Sequence, residues 1–553
     1  MYVLMSTGCG TGLLFQGSCI SCFIQLTHIH TQAHTLQHNH IMTAGSIAPL
    51  DYASLKKKFQ PFLSKRVENR HLKSFWNPSE PNDDIIELAG GMPHEKFFPI
   101  EAIDLKISKM PFNENPKWHD SFTTAHLDLE SPGEMPIARS FQYAETKGMP
   151  PLLQFTKDMV ARINRPAFSD ETDSNWDVIL SGGSNDSMYK VFETFCDEST
   201  TVMIEEFTFT PAVSNVEATG ATVVPIKINL SADRETQSVD VDYLSQLLEN
   251  WSTGPYRHLN KPRVLYTIAT GQNPTGMSVP QWKREKIYEL AQRHDFLIVE
   301  DDPYGYLYFP PFDPENPLEN PYQSSSVTTE RYLNEFLMKS FLTLDTDARV
   351  IRLETFSKIF APGLRLSFIV ANKFILEKVL DLADITTRAP SGTSQAIVYS
   401  TIKAMAESNM PSSLPFKELM FESWIQWIME IASKYNHRKN ITLKALYETE
   451  SYRAGQFSVM EPSAGMFIII KINWANFGKP DDLPQQMDRL DEFLVKNGVK
   501  LVLGYKMAVS LDYSMQHSDF LRLTIAYAKD DNQLIEASRR IGNGIKEFFE
   551  NYN

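Results

Sequence analysis

Three polar side chains follow apolar runs of this sequence at short distances. Asn273 comes after the run 264–268, Asp301 after 296–299, and Lys358 after 348–353. In open α/β sheets, ligands bind just beyond the carboxyl ends of the strands, so such positions are candidate ligand contacts. At such a position the amide could hydrogen-bond a bound ligand, the carboxylate could pair with a positive charge on it, and the amine could attack it as a nucleophile.

A glycine-containing turn is a fourth candidate. Residues 178–180 are apolar, and Ser181-Gly-Gly-Ser-Asn185 leads from them into a segment with helical periodicity. Glycines at a strand-to-helix turn let backbone N–H groups meet an anion, whose negative charge the helix dipole favours. The turn lacks both the GxGxxG pattern and the P-loop lysine spacing, so a simple connection remains an alternative.

The elements that must position these residues follow a regular order. From Asp177 onward, short apolar runs alternate with helical periodicity, which is typical of an α/β domain with a parallel sheet. The clearest unit spans 262–302 and predicts strand 264–268, a turn at 273–276, a helix, and strand 296–299. The next strand is predicted at 348–353, after a surface insertion at 310–326 that is rich in Pro, Asn and Ser.

Composition limits the class of protein. A chain of 553 residues exceeds the size of one core, so at least two domains are expected. A net charge of -15 argues against a nucleic-acid-binding surface, and no run of eighteen apolar residues occurs to span a membrane. Only one of the four cysteines lies beyond residue 22, which favours a reducing compartment over secretion.

The first fifty residues differ from the rest, because no Asp, Glu, Lys or Arg occurs before Asp51. Cys19 and Cys22 have a spacing seen in zinc sites, but no second ligand pair follows at finger spacing. A secretory signal is also poorly supported, since no basic residue precedes the apolar stretch. We expect an unstructured leader at 1–41, with Met42 as a plausible true start.

Several motifs together resemble one family. Asn273-Pro-Thr-Gly276, Glu300-Asp-Asp-Pro-Tyr304, Thr355-Phe-Ser-Lys358 and Pro362-Gly-Leu-Arg365 are similar, in order and spacing, to those of the pyridoxal-phosphate aminotransferases of fold type I. Within that family the sequence resembles the fungal aromatic aminotransferases, from about residue 42 to the C-terminus.

The resemblance implies roles for the residues that act on the cofactor ring. Lys358 would bind the cofactor aldehyde covalently and later carry a proton at the substrate α-carbon. Asp301 would pair with the pyridine nitrogen, while its neighbour Asp302 suits a helix-cap or turn role. Asn273 and Tyr304 would bind the phenolic oxygen. Phe209, where many relatives have Tyr, would stack on the ring.

Further roles concern the phosphate and the substrate. The resemblance assigns phosphate binding to Thr355, Ser357, Arg365, Ser184 and Asn185. Tyr143 would reach the phosphate held by a second subunit. Arg522 would clamp the substrate carboxylate with its planar fork, beside Asn273 and the loop 90–93 that contains Gly91. Gly305 and Ser367 depart from the usual residues, and each could reshape the pocket wall.

The expected fold is α/β, the fold type I of pyridoxal-phosphate-dependent transferases: a large domain with a mostly parallel central sheet, and a smaller α/β domain. The expected limits are 42–149 for an N-terminal arm and part of the small domain, 150–390 for the large cofactor domain, and 391–553 for the C-terminal small domain.

The resemblance implies an aromatic amino acid aminotransferase that moves the amino group of Phe, Tyr or Trp to a 2-oxo acid through pyridoxal 5'-phosphate. It implies a cytoplasmic homodimer with the active site at the interface, with no metal, nucleic acid or membrane partner. Two alternatives stay open: another pyridoxal-phosphate reaction, such as decarboxylation or elimination, and a cofactor-binding transcription regulator. The low basic charge disfavours the regulator.

Overall fold

The computed structural model describes residues 50–70, 86, 88, 91–108, 122–129, 135–324, 327–474 and 478–552, which all lie in the unit Ala48–Asn553. The predicted leader 1–41, the predicted start at Met42, and Gly90 lie outside the described residues.

Fifteen strands are described within these ranges. In chain order they are β1 Ala102–Ser108, β2 Phe122–Asp128, β3 Trp176–Ser181, β4 Thr201–Glu205, β5 Thr222–Ile226, β6 Ile228–Asn229, β7 Ser238–Val239, β8 Val264–Thr267, β9 Leu297–Asp302, β10 Val350–Thr355, β11 Ser367–Asn372, β12 Phe457–Met460, β13 Phe467–Ile472, β14 Val502–Leu503 and β15 Phe520–Thr524.

The α-helices of the same ranges vary widely in length. They are α1 Tyr52–Phe59, α2 Lys65–Glu68, α3 Ile137–Phe141, α4 Pro150–Ile163, α5 Ser184–Phe195, α6 Thr210–Glu217, α7 Val241–Glu249, α8 Gln281–His294, α9 Thr329–Arg331, α10 Lys373–Ile385, α11 Gly392–Ser408, α12 Phe416–Tyr447, α13 Glu450–Arg453, α14 Leu483–Lys496, α15 Leu511–Ser514 and α16 Asp531–Glu550.

A seven-stranded sheet of order β3-β11-β10-β9-β8-β4-β5 forms the centre of the fold. All its pairs are parallel except those of β11, which runs antiparallel to β3 and β10. Every residue of β4, β8, β9, β10 and β11 is buried, as expected of a sheet covered on both faces. The expected fold class, α/β with a mostly parallel sheet, is confirmed.

The predicted βαβ unit is present as β8, α8 and β9. Pro280 directly precedes α8, and the apolar side chains of Ile287, Leu290 and Ala291 are buried on one face of the helix. Strands β9 and β10, however, end later than predicted, so Asp301 lies within a strand. The ladder continues because the buried charges pair across it, with Arg352 bonded to Asp302 at 2.6 Å and lying 3.0 Å from Glu300.

A four-stranded antiparallel sheet of order β12-β13-β15-β14 lies in the C-terminal part of the chain. Helix α16 packs against both α12 and α14. Strands β1 and β2 form a separate antiparallel pair near the N-terminal end of the described chain. The domain limits given above stay a prediction.

The predicted surface insertion 310–326 is only partly a surface segment. Tyr322 is buried and its hydroxyl donates to the Tyr308 carbonyl at 2.8 Å, and Asn320 donates to the Ser433 carbonyl of α12 at 3.0 Å. The Pro- and Asn-rich composition therefore includes two side chains that anchor the segment, Asn320 to α12 and Tyr322 to the Tyr308 carbonyl. Among the helices of the described ranges, none is both long enough and apolar enough to cross a membrane.

Candidate active site

A cavity of about 200 Å³ lies at the carboxyl ends of the central parallel strands. Nine of its twelve lining residues are ones that the motifs predict: Ser184, Asn185, Phe209, Asn273, Asp301, Tyr304, Ser357, Lys358 and Arg365. The other three are Ile268, Pro303 and Pro362. The sheet thus brings together residues that are up to 181 positions apart, from Ser184 to Arg365.

One end of the cavity is built to receive an anion. Gly183 has φ of 96°, and a Cβ on it would lie 2.2 Å from Arg365 Nη2, so only glycine allows this close approach. Helix α5 begins at the next residue, and its first backbone N–H groups have no partner within the helix. A guanidinium and a helix N-terminus therefore converge on one spot, which suits a phosphate.

A buried network holds this turn in place. Asp186 accepts from the Gly182 backbone N–H at 2.8 Å and from Lys190 Nζ at 2.6 Å. The Gly183 N–H donates to Ser367 Oγ at 3.0 Å. Ser367, flagged above as a departure that could reshape the pocket wall, does not line the cavity and instead supports the turn from behind.

Lys358 lies in the cavity with its amine partly withdrawn from solvent. Burial lowers the pKa of Lys358, and the nearby Arg365 guanidinium lowers it further, while Asp301 acts in the opposite direction. The amine therefore loses its proton more readily than a surface lysine does, as a nucleophile or proton carrier requires.

Asp301 is fully buried, and one of its oxygens is free to bind a ligand. Oδ2 accepts from the Tyr266 hydroxyl at 2.7 Å, whereas Oδ1 is buried and has no hydrogen-bond partner within the described residues. Burial raises the pKa of Asp301 to about 7. A buried carboxylate oxygen of this kind calls for a cationic donor, and a protonated pyridine nitrogen fits that need.

Arg522 projects from β15 and contacts the cavity through Asn273, whose Oδ1 accepts from Nη1 at 2.7 Å. Its guanidinium lies 4.5 Å from the ring centroid of Phe467, which also packs edge-on against Tyr304. Arg522 Nε is buried and finds no partner in the described part of the chain. The guanidinium is thus fixed by its neighbours and retains a donor for a carboxylate.

Thr355, Tyr143, Gly91 and Arg522 do not line the cavity, although Arg522 bonds Asn273, which does. Thr355 is buried behind it and donates to Ser357 Oγ at 2.8 Å, so it acts on the predicted phosphate site only through that serine. Tyr143 is 68% exposed and Gly91 is exposed. A role for either in catalysis requires a second subunit or a movement of the segment.

Two further expectations change in the structure. Asp302 accepts weakly from the Tyr304 N–H at 3.3 Å, but its main partner is the buried Arg352, so it is more than a turn former. A Cβ on Gly305 would lie 2.3 Å from Asp302 Oδ2. Glycine is therefore needed beside this ion pair, and an aromatic residue would displace the carboxylate.

Sequence reasoning missed the residues that support the site from behind. Tyr266 lies inside an apolar run, a position that predicts an ordinary core residue. Glu205, at the end of β4, accepts from Gln272 Nε2 at 3.0 Å and from Thr267 Oγ1 at 2.8 Å. Gln272 Oε1 in turn accepts from the Thr275 hydroxyl at 2.6 Å, which braces the turn that carries Asn273. A charged residue closing an apolar run was the available signal for Glu205.

The arrangement suits a phosphorylated pyridine aldehyde. It offers an anion site at one end, an amine for the aldehyde, a carboxylate oxygen for the ring nitrogen and an arginine for a substrate carboxylate. Within the described ranges, no group of three or more His, Cys, Asp and Glu is placed to hold a metal ion. The cysteine pair considered for zinc lies outside the described residues.

Comparison with known proteins gives consistent results. Residues 105–541 match the family model described as aminotransferase class I and II. The chain is 83% identical over 511 residues to aromatic amino acid aminotransferase 2 of Saccharomyces cerevisiae, covering 92% of this chain and 100% of that protein. It is 29% identical over 462 residues to an aromatic amino acid aminotransferase of Schizosaccharomyces pombe, covering 82% of this chain and 89% of that one.

A solved structure is also similar over nearly the whole fold. The crystal structure of the aromatic aminotransferase Aro9 from C. albicans superposes with a TM-score of 0.79 at 36% identity, covering 89% of this chain and 98% of that one.

Proposed function

The chain belongs to the class I and II aminotransferases, and on that premise we propose that it moves the amino group of phenylalanine, tyrosine or tryptophan to a 2-oxo acid. The observation that carries the substrate class is the 83% identity to a relative named for aromatic amino acids, along that relative's full length. The cofactor of this family is pyridoxal 5'-phosphate.

The residues of the cavity suit that cofactor. When bound, pyridoxal phosphate supplies a ring that withdraws electrons and stabilises negative charge at the substrate α-carbon. Asp301 Oδ1 would keep the ring nitrogen protonated, because a buried carboxylate oxygen without another partner favours a positive charge beside it. Arg365, the N-terminus of α5 and Ser357 would bind the phosphate.

Lys358 has two tasks in this proposal. Its amine would hold the cofactor through the aldehyde group, and the same amine would carry the proton removed from the substrate α-carbon. Both tasks need a neutral amine, and burial together with Arg365 lowers the pKa of Lys358 in that direction. Asn273 and Tyr304, which both line the cavity, would bind the phenolic oxygen of the ring.

Arg522 binds the carboxylate that amino donor and oxo acceptor have in common. Asn273 and Phe467 hold the guanidinium on one edge and one face, so its orientation is set before substrate arrives. Both half-reactions therefore use the same clamp, and the side chain of the substrate is read elsewhere.

We extend the proposal to the assembly. The enzyme is a cytoplasmic homodimer, with Tyr143 reaching the partner's cofactor phosphate and the loop around Gly91 closing over substrate. The exposure of both residues supports this placement. Segment 150–390 acts as the cofactor domain, and 42–149 and 391–553 together form the small domain.

The direct test is to incubate the purified protein with phenylalanine and 2-oxoglutarate and to measure phenylpyruvate and glutamate. We expect both products in equal amounts, with no activity in Lys358→Ala. Phenethylamine and carbon dioxide instead would indicate a decarboxylase. Cofactor binding without any turnover would indicate a regulator.

A further inference from the structure

Tyr266 is a fully buried tyrosine on β8, the strand beside the one that carries Asp301. Its hydroxyl donates to Asp301 Oδ2 at 2.7 Å, and no other donor to this carboxylate occurs in the described chain. The remaining oxygen, Oδ1, has no partner there. One tyrosine hydroxyl therefore decides which of the two oxygens faces the cavity.

The surrounding charges do not provide a substitute. Arg352 is the nearest buried cation on β10, but its guanidinium is taken by Asp302 and Glu354, each at 2.6 Å. It lies in addition 3.0 Å from Glu300. The cavity's own cation, Lys358, is the group that must be neutral for the reaction. Asp301 thus depends on Tyr266 for a fixed donor.

The tyrosine ring is itself packed against a helix beside the sheet. Its centroid lies 5.9 Å from that of Phe192, which projects from α5, the helix whose N-terminus faces the phosphate. The ring has no freedom to swing away, because both side chains are fully buried.

We propose that Tyr266 is a positioning residue, which fixes the Asp301 carboxylate so that Oδ1 meets the ring nitrogen of the cofactor. The inference rests on the proposed function for the identity of the cofactor only, not for the identity of the substrate. A charge-assisted hydrogen bond to a buried carboxylate is worth about ten- to a hundredfold in an equilibrium constant. Tyr266→Phe removes that bond and keeps the ring.

The test compares two cofactors on protein stripped of its own. The dissociation constants of pyridoxal phosphate and of its 1-deaza analogue, in which a C–H replaces the ring nitrogen, are measured by absorbance titration. Tyr266→Phe should raise the constant for pyridoxal phosphate about ten- to a hundredfold and leave that for the deaza analogue unchanged or lower. The preference for the natural cofactor should shrink by the same factor.

A matched control is available at the other end of the sheet. Tyr288 also donates to a buried carboxylate, with its hydroxyl 3.0 Å from Asp345 Oδ1 and 2.6 Å from Asp347 Oδ1. Tyr288→Phe deletes the same chemical group from a tyrosine that does not line the cavity and should not change the preference between the two cofactors.

A double variant tests whether the effect of Tyr266→Phe passes through Asp301. Asp301→Asn removes the charge that the tyrosine serves, so adding Tyr266→Phe to it should leave the cofactor preference where Asp301→Asn had put it. A further loss of preference in the double variant would show that Tyr266 acts through another group and would overturn the proposal.

The remaining outcomes are decisive as well. Equal weakening of both cofactors by Tyr266→Phe assigns the tyrosine a purely structural role and overturns the proposal. An unchanged preference for pyridoxal phosphate over the deaza analogue in Tyr266→Phe also overturns the proposal. If the parent protein transaminates phenylalanine in that case, the proposed function still stands. A collapsed preference in a protein that does not transaminate phenylalanine refutes the proposed substrate and supports the role of Tyr266.

Discussion

Replacing Arg522 by alanine should reduce kcat/KM for every substrate that carries an α-carboxylate, amino acids and oxo acids alike. In the structure, Nη1 is committed to Asn273 at 2.7 Å and Nε is buried without a partner in the described ranges, so the guanidinium is oriented before substrate binds. Alanine removes both the charge and the fork. It also leaves the Asn273 oxygen without its donor.

The magnitude follows from the bonds that are lost. Each charge-assisted hydrogen bond contributes about 1.5–3 kcal/mol, so two such bonds to a carboxylate are worth about 3 kcal/mol or more. That corresponds to a fall in kcat/KM of about a hundredfold or more. Arg522→Lys should recover only part of this, because one ammonium cannot bond Asn273 and a carboxylate in the planar geometry while stacking on Phe467.

The assay is steady-state kinetics with phenylalanine, with phenylpyruvate in the reverse direction, and the single-turnover reaction with phenethylamine. The amine lacks the carboxylate, so its rate should be almost the same in parent and variant. Arg438→Lys is the matched control, because Arg438 donates to the backbone carbonyls of Ile525 and Ala528, just beyond the same strand, and contacts nothing in the cavity. It should leave kcat/KM close to that of the parent.

Two results would refute this reasoning. Equal losses for phenylalanine and phenethylamine would show that Arg522 supports the fold and not the carboxylate. A loss in Arg438→Lys as large as in Arg522→Lys would show that the strand end is simply sensitive to any change of arginine.

Lys358→Ala should abolish turnover but keep the cofactor bound noncovalently. Borohydride reduction of the parent protein, followed by peptide mapping, should find the cofactor label on Lys358. A label on another lysine would contradict the assignment. Glu205 has its pKa raised from 4.5 to about 7 by burial, so the native state holds a proton that the unfolded chain releases. Stability should therefore fall by about 3 kcal/mol as pH rises from about 4.5 to 7. Urea unfolding at pH 5 and pH 8 should show this slope in the parent and a smaller one in Glu205→Gln; identical slopes would contradict it. Tyr143→Phe should weaken cofactor retention without dissociating a dimer in sedimentation, and unchanged retention would remove Tyr143 from the site.

Much of the cavity follows from local sequence. Asn273, Asp301 and Lys358 come at or just beyond the ends of strands that run parallel, and parallel strands bring their carboxyl ends to one edge of a sheet. Order and spacing along the chain are therefore enough to gather them, even though β9 and β10 extend further than their apolar runs.

The support behind the cavity could not be predicted in this way. Tyr266 bonds Asp301 because β8 and β9 pair in a register that sets Tyr266 opposite Val299. Pairing registers depend on the packing of the whole sheet, and within an apolar run nothing distinguishes a tyrosine that bonds a carboxylate from one that fills the core. The buried ion pairs of Arg352 with Glu300 and Asp302 could not be predicted either, because charged residues are usually expected at solvent-exposed positions.

The position of β3 at the edge of the large sheet has a consequence for how the enzyme is made. Among the strands of the described ranges, β3 pairs with β11 alone. Gly183 and Ser367, which join the anion-binding turn to β11, are 184 residues apart in the chain. During synthesis the buried, apolar β3 leaves the ribosome long before its partner exists. It is then an unpaired edge that can recruit other chains, and long-range pairing of this kind is slow. The anion site closes only when β11 arrives, so the nascent chain must be protected from aggregation without help from its cofactor.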